Sequence, residues 1–153
     1  MIEGKHYQNA YITRNISKWI DEFKAKADIR KLINYEGAAE LWTPNGTITQ
    51  ITKLAFIWVG DMQYELIEPV SGAALYSDEL PAGDELKFHH ICNRVVDWDG
   101  FRARVDKQPY PVVLERSSAA NLKFLYLDTR RLLGHYLEYI WMTDEVWGQM
   151  GGV

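Results

Sequence analysis

The stretch from Leu86 to Val96 constrains the fold most, because its surroundings occur twice in the chain. It contains β-branched and aromatic residues and neither Gly nor Pro, which indicates a β-strand. Successive side chains of a strand point to opposite faces, and this places His89 opposite to His90. One face is predicted to carry Phe88, His90, Cys92 and Arg94. For His90 alone, a hydrogen-bonded core histidine would be the simpler interpretation.

The repeat becomes visible when Gln8 is laid over His90. Asn15 then falls on Asp97, and both are residue types that cap helices. Each half is predicted to be a strand, a helix and three further strands. The chain is therefore expected to be one domain (1–153) of two βαβββ modules, at 6–69 and 86–142, joined by a linker over 70–85.

Local patterns set the predicted elements of each module. In the first module they are a strand over 6–14, a helix over about 17–27, and strands over 48–59 and 62–68. Pro69 is expected to end the last of these. Residues 28–47 are ambiguous, because Ile29, Leu32 and Ile33 could continue the helix, whereas Pro44–Gly46 indicates a turn. In the second module the elements are strands over 86–96, 112–114, 122–127 and 134–141, a helix ending near Lys107, a loop over 128–131 and an amphipathic tail over 144–150.

One βαβββ unit cannot cover both faces of its own sheet. Two units joined edge to edge predict an α+β fold, with one curved eight-stranded mixed sheet and the helices outside. The concave side would then collect one residue from the first strand and one from the last strand of each module. Those four residues are Gln8, Glu65, His90 and Glu138.

Composition excludes several classes of protein. The chain has 153 residues, is 47% hydrophobic and carries a formal net charge of −4, which argues against a nucleic-acid-binding protein. No secretory signal and no apolar run of about 18 residues are present, so we expect a cytoplasmic protein without a membrane partner. The single cysteine excludes a disulfide framework and cysteine-cluster zinc sites.

The four predicted concave residues offer an amide oxygen, two carboxylates and an imidazole. This donor set suits zinc, nickel, cobalt, manganese or ferrous iron. Four protein ligands leave two positions of a six-coordinate ion open, which is enough to chelate two neighbouring substrate oxygens. In the alternative interpretation, Glu65 and Glu138 face solvent and Gln8 is incidental. A buried, unpaired carboxylate would be costly, so both glutamates lie either in water or on a cation.

Residues 6 to 142 resemble the vicinal oxygen chelate superfamily, which includes glyoxalase I, methylmalonyl-CoA epimerase, extradiol dioxygenases and bleomycin-resistance proteins. The similarity is carried by Tyr64–Pro69, by Phe88–Ile91 with its pair of histidines, and by Leu133–Glu138. It implies a divalent metal, zinc first, held by Gln8, Glu65, His90 and Glu138. It further implies that Glu138 or Glu65 acts as the catalytic base, and it makes a homodimer the expected assembly.

Three departures leave the subfamily open. Ile12 and Pro69 stand where glyoxalase I has an arginine and an asparagine that contact glutathione. The strand over 48–58 has no carboxylate, whereas the epimerase places a catalytic glutamate there. Extradiol dioxygenases use two histidines and one glutamate, and Gln8 does not match that set.

The expected function is a metal-dependent lyase or isomerase/epimerase that stabilises an enolate of a small carbonyl or thioester substrate. Arg94 is predicted to bind an acidic end of the substrate, with Tyr136 and His6 as further contacts. A structural ion pair for Arg94 and no role for His6 are the alternatives. The competing functions are a metal-free, ligand-sequestering protein of the bleomycin-resistance type and an interaction subunit that only dimerises. Exposed sheet ends are expected to be covered by Trp141, Trp147 and Met150.

Overall fold

The structure is a computed structural model that describes residues 2–153. Eight strands and five helices follow one another in the order expected for two βαβββ modules, with three short helices added. The elements are β1 (Lys5–Ile12), α1 (Ile16–Lys26), β2 (Lys31–Thr43), β3 (Gly46–Val59), β4 (Met62–Ser71), α2 (Ala74–Ser77), β5 (Lys87–Arg94), α3 (Trp98–Val105), β6 (Val112–Arg116), β7 (Leu122–Leu127), α4 (Arg130–Leu133), β8 (Tyr136–Met142) and α5 (Asp144–Gln149).

The strands form one closed sheet in the order β1-β4-β3-β2-β6-β7-β8-β5. β1 runs parallel to β4 and β5 runs parallel to β8, whereas the other pairs are antiparallel. The predicted α+β fold with an eight-stranded mixed sheet is thus confirmed, and the sheet curves until it closes. Closure at β2 and β6 rests on a single pair among the described residues, Trp42 with Glu115.

The strand register follows the overlay of Gln8 on His90. In each module, a glutamate of the last strand lies opposite the residue two positions after the overlaid one. These pairs are Ala10 with Glu65, and Cys92 with Glu138. The helix caps also correspond, because Asn15 accepts a hydrogen bond from the Lys18 backbone and Asp97 accepts one from that of Gly100.

A β-bulge at His89 breaks the alternation predicted for β5. Ala10 pairs with His90 and the next residue, Tyr11, pairs with Phe88, so His89 is the extra residue. His89 and His90 are consequently both buried. The prediction that His89 faces away from His90 is wrong for this reason. Phe88, predicted to share the face of His90, is instead 40% exposed.

A second bulge lies at Tyr7 in β1. His6 pairs with Asn93 and Gln8 pairs with Cys92, which leaves Tyr7 without an opposite residue. Tyr7 and Gln8 are therefore both buried, and His6 is left exposed on the outside of the strand. The strict period of two, which placed His6 on the face of Gln8, does not hold across such a bulge.

Other boundaries differ from the sequence prediction. The segment 28–47, whose structure the sequence left undecided, contains β2, which pairs with β3 along its whole length. Strand β4 continues through Pro69 to Ser71, and Pro69 lies beside a register irregularity, where a missing N–H is tolerated. The linker contains α2. The loop predicted over 128–131 contains part of α4. Gly134, with a φ of 80°, caps the C-terminus of α4, and β8 therefore starts at Tyr136 and not at Gly134.

Two apolar layers hold the helices on the barrel. Ile16 and Ile20 of α1 pack on Ala55, Ile57 and Leu66. The layer under α3 consists of Trp98, Phe101, Val105, Leu125, Leu127, Leu137 and Tyr139. No helix within residues 2–153 is long and apolar enough to cross a membrane.

The C-terminal helix α5 closes the barrel from one side. Trp147 makes edge-on contacts with the rings of Tyr7 and Trp58, and the Trp58 indole donates a hydrogen bond to the Met150 carbonyl at 2.7 Å. Trp147 and Met150 therefore pack within their own chain, rather than standing free to cover a sheet end.

Candidate metal centre

Three potential metal ligands meet inside the barrel. Glu65 comes from β4, His90 from β5 and Glu138 from β8, and their ligand atoms all lie within 4.8 Å of one another. His90 Nε2 is 3.1 Å from Glu138 Oε2 and 3.5 Å from Glu65 Oε2. All three residues are buried. β4 lies beside β1 and β8 lies beside β5, and the pairing of β1 with β5 brings the three side chains together.

Gln8 presents a free oxygen in the same cavity. Its amide nitrogen donates a hydrogen bond of 2.6 Å to Gln63 Oε1, which fixes the orientation of the amide. Gln8 Oε1 is left buried without a hydrogen-bond partner. Sequence reasoning missed Gln63, although its place two residues before Glu65 puts it on the same strand face.

Burial and the mutual contacts set the protonation of these groups. Burial raises the pKa of the Glu65 carboxyl, and its contact with His90 opposes that rise. Burial lowers the pKa of His90, but the hydrogen bond to Glu138 and the close contact with the Glu65 carboxylate outweigh it and raise the pKa to about 9. Without another cation nearby, the His90 ring would carry the positive charge that the two carboxylates require.

The geometry fits a divalent cation in place of that proton. Two ligands about 2.1 Å from an ion and at right angles lie about 3 Å apart, close to the 3.1 Å and 3.5 Å found here. Two buried oxygens, Gln8 Oε1 and Glu65 Oε2, also have no hydrogen-bond partner. Buried polar atoms without partners are rare in native proteins, and a bound ion is one explanation for them.

The bulged residue His89 fixes the orientation of His90. His89 Nδ1 lies 2.8 Å from His90 Nδ1, and His89 Nε2 donates to the Leu75 carbonyl at 3.0 Å. Burial lowers the pKa of His89 to about 3, so the ring is neutral and its Nδ1 can only accept. His90 Nδ1 must then carry the hydrogen, and the lone pair of a neutral His90 lies on Nε2, facing the carboxylates. Such partners are typical of metal-binding histidines.

Two tyrosines extend the network from His90 towards β3. The Tyr126 hydroxyl lies 3.4 Å from His90 Nε2 and 2.8 Å from the Tyr76 hydroxyl. Tyr76 in turn hydrogen-bonds the Gln50 side chain. Gln50 Oε1 nevertheless remains buried without a hydrogen-bond partner. The network thus ends at Gln50, a residue of the cavity lining whose side-chain oxygen accepts no hydrogen bond.

The cavity above the three ligands has a volume of about 280 Å³. Glu65, Glu138 and Gln8 lie in its wall, and Arg116 at the end of β6 is the one Lys or Arg in the lining. Much of the remaining wall is aromatic, formed by Tyr7, Tyr35, Phe56, Tyr76, Phe124, Tyr126 and Trp147. Among the described residues, the cavity therefore combines a floor of carboxylate and amide groups, apolar sides and a single basic group.

The family model of the Glyoxalase/Bleomycin resistance protein/Dioxygenase superfamily matches residues 7–126. The chain belongs to this superfamily. No curated protein matches the sequence.

Several solved structures share the fold of this chain. The methylmalonyl-CoA epimerase of Mycobacterium tuberculosis superposes with a TM-score of 0.65 at 16% identity, over 97% of both chains. A hypothetical protein of Bacillus halodurans C-125 gives 0.62 at 19% identity, over 92% of this chain and 95% of the other. A Streptomyces coelicolor methylmalonyl-CoA epimerase variant in complex with 2-nitronate-propionyl-CoA gives 0.64 at 12%, over 92% and 96%. At these identities, the likeness shows the fold alone.

Of the predicted superfamily site residues, the structure brings Gln8, Glu65, His90 and Glu138 together. Arg94, Tyr136 and His6 are not in the cavity wall. The Arg94 guanidinium lies 4.3 Å from the Trp147 ring centre and 3.3 Å from Asp144 Oδ1. Tyr136 stacks on His89, with Arg130 over its ring. His6 Nε2 contacts Asn9 Oδ1 and the Gln8 carbonyl on the outside of β1.

Proposed function

We propose that this protein is a divalent-metal-dependent lyase or isomerase/epimerase that acts on a small carbonyl or thioester substrate with two vicinal oxygens. The observation that carries the proposal is the convergence of Glu65, His90 and Glu138 within 4.8 Å at the floor of a cavity. The superfamily match and the epimerases that share the fold support the reaction class.

The metal would be held by Gln8 Oε1, His90 Nε2 and a carboxylate oxygen each of Glu65 and Glu138, and we propose zinc first, with nickel, cobalt, manganese or iron as alternatives. When bound, such an ion supplies a Lewis acid that polarises two neighbouring substrate oxygens. The buried floor keeps bulk water away from those oxygens, which strengthens every charge interaction there.

Glu65 is the proposed proton acceptor. The substrate C–H bond breaks, its proton passes to the Glu65 carboxylate, and the electron pair moves onto the substrate carbonyl oxygen as an enolate. Burial raises the pKa of Glu65, which suits a group that must both accept and return a proton. Protonated Glu65 then either returns the proton to the neighbouring carbon itself or passes it to the carboxylate of Glu138, the second catalytic carboxylate, which the other module supplies. Glu138 would in that case deliver the proton to the opposite face of the enolate.

Metal content and hydrogen exchange test this proposal together. Elemental analysis is expected to find about one transition-metal ion per chain. The loaded protein is then expected to exchange the acidic C–H of some members of a panel of 2-oxo acids, hemithioacetals and 2-substituted acyl thioesters with deuterium from the solvent. Chelator treatment and Glu65→Gln should each abolish the exchange, while Glu36→Gln, at an exposed glutamate of β2, should retain it. Exchange that survives complete metal removal would overturn the proposal.

The aromatic wall favours one alternative function, a metal-free protein that sequesters an apolar or aromatic ligand. Tyr35, Phe56, Phe124 and Trp147 give such a ligand faces to stack on. That function predicts metal well below one ion per chain and quenching of tryptophan fluorescence by an aromatic ligand that a chelator does not change. Stoichiometric metal together with chelator-sensitive binding would exclude it.

We also propose a homodimer in the cytoplasm. β2 pairs with β6 only at Trp42 and Glu115, so most of its outer edge has no partner strand within the described chain. Unpaired edges are normally covered, and Trp42 is 47% exposed beside this one. This edge, rather than the C-terminal aromatic residues, is therefore our candidate for the dimer contact.

A further inference from the structure

We infer that the substrate carries a second anionic group, a carboxylate, and that Arg116 binds it. This inference rests on the proposed function, because it assumes that the vicinal oxygens of the substrate lie on the ion at the cavity floor. Arg116 lies at the C-terminal end of β6 and lines the cavity.

The strand register places Arg116 on the inner face of the barrel, where its side chain lines the cavity and is still exposed to solvent. It pairs with Phe124 on β7, which pairs with Ile140 on β8, and directly opposite residues of a sheet share a face. Phe124 and Ile140 both line the cavity. Arg116 therefore belongs to the same inner face as Glu138, two residues before Ile140.

The distance suits a small bifunctional substrate. Two residues along β8 and two strands across place the Arg116 Cα about 12 Å from the Glu138 Cα, from the rise per residue and the strand spacing. An extended arginine side chain covers much of that gap and leaves room for a short carbon chain. The cavity volume of about 280 Å³ is also at the small end for ligand sites, so a compact metabolite fits it.

The positive charge of Arg116 favours an anionic group of the substrate beside it. A divalent ion balances the carboxylates of Glu65 and Glu138, which leaves the cavity floor without net charge. The Arg116 guanidinium has no ion pair or hydrogen bond with any residue in the described range 2–153, unlike those of Arg94, Arg102, Arg104 and Arg130. A free guanidinium offers the planar fork that matches a carboxylate.

Gln50 gives an independent sign of a polar ligand in the same cavity. Gln50 is only 8% exposed and lines the wall, yet its Oε1 has no hydrogen-bond partner. An unpaired buried oxygen is costly, so a donor is expected to occupy this position in the complex. A hydroxyl or amide group between the two ends of the substrate, or a water held by it, would supply that donor.

The test compares two ligands that differ only at the far end. 2-Oxoglutarate and 2-oxopentanoate share a 2-oxo acid head, whereas only the first has a terminal carboxylate. Dissociation constants are measured with the Co²⁺-loaded protein from changes in the visible spectrum. Wild type is expected to bind 2-oxoglutarate about tenfold more tightly, the usual effect of a charge-assisted hydrogen bond. Arg116→Gln should remove that preference, and binding of 2-oxopentanoate should stay unchanged.

Arg131→Gln is the matched control, since Arg131 is exposed on α4 and outside the cavity wall. It should keep the preference. If both ligands perturb the cobalt spectrum equally, or if Arg116→Gln keeps the preference, the inference is overturned and the proposed function stands. If neither ligand perturbs the spectrum, the inference is overturned, and the hydrogen-exchange panel decides the proposed function separately.

Discussion

Replacing His89 by Phe tests whether the bulged residue of β5 orients His90 for the proposed metal site. The ring of His89 stacks on Tyr136 with centroids 4.9 Å apart, and a phenyl ring can keep that contact. The substitution removes two hydrogen bonds, the one received from His90 Nδ1 and the one given to the Leu75 carbonyl. The His90 imidazole would then be free to change tautomer or to rotate away from Glu65 and Glu138.

The expected magnitude follows from the burial of His90, which is 0% exposed. An unsatisfied buried donor costs about 1–3 kcal/mol, and every 1.4 kcal/mol corresponds to about tenfold in a binding constant. The metal dissociation constant should therefore rise about 10- to 100-fold, the range found when partners of metal-binding histidines are removed. The metal-free fold should lose less, because the aromatic stack remains.

A competition titration against a chromogenic chelator measures the zinc affinity of each variant, and urea unfolding of the metal-free proteins reports on the fold. His135→Phe is the control, since His135 also hydrogen-bonds a backbone carbonyl, that of Tyr136, but touches none of the ligands. It should bind zinc like wild type. A His89→Phe protein that is folded and binds zinc within twofold of wild type would refute the proposed role of His89.

Three further predictions concern metal occupancy, the pH dependence of stability and the assembly. His90→Ala and Glu138→Gln should each lower metal occupancy and leave the fold largely intact, which elemental analysis and circular dichroism will show; unfolding of both variants at neutral pH would instead mark these residues as structural. The metal-free protein should lose stability as the pH rises, because the folded pKa of His90, about 9, lies above its unfolded value of 6.5, so that its contribution is complete below pH 6.5 and lost through pH 9. The shift in the pKa of His90 corresponds to about 3 kcal/mol of stability. The raised pKa of Glu65 likewise makes the folded state less stable as the pH rises. A urea midpoint that stays constant from pH 6.5 to 9 would contradict the prediction. Light scattering at micromolar concentration should give the mass of a dimer, and a monomer mass would refute the proposed assembly.

The sequence predicted that Gln8, Glu65, His90 and Glu138 share one site because the positions of these residues depend on local rules applied twice. Period-two alternation, a helix cap in each half and the overlay of Gln8 on His90 identify one inward residue on the first strand and one on the last strand of each module. The register of the parallel pairs in the structure agrees with that overlay, with Ala10 opposite Glu65 and Cys92 opposite Glu138. No tertiary information is needed for this step beyond the assumption that the two modules meet at their first strands.

The bulges at Tyr7 and His89 could not be predicted in this way. A bulge depends on the pairing of one strand with its neighbour, and no local signal such as a glycine marks either position. Its effect is large, because every side chain on one side of the extra residue changes face. This accounts for the outward position of His6 and for the inward turn of His89.

The proposed anion site shows a second, longer-range reason why sequence alone fell short. Strand alternation put Arg94 on the face of His90. Trp147 and Asp144, both of α5, contact its guanidinium, and these contacts hold Arg94 outside the cavity lining. Arg116 lies beside the cavity only because the sheet closes, with Glu115 paired to Trp42 of the other module. An open sheet would leave β6 at an edge, far from β2. The group proposed to select substrate charge is therefore placed by the closure of the barrel, which brings together strands about 70 residues apart in the sequence.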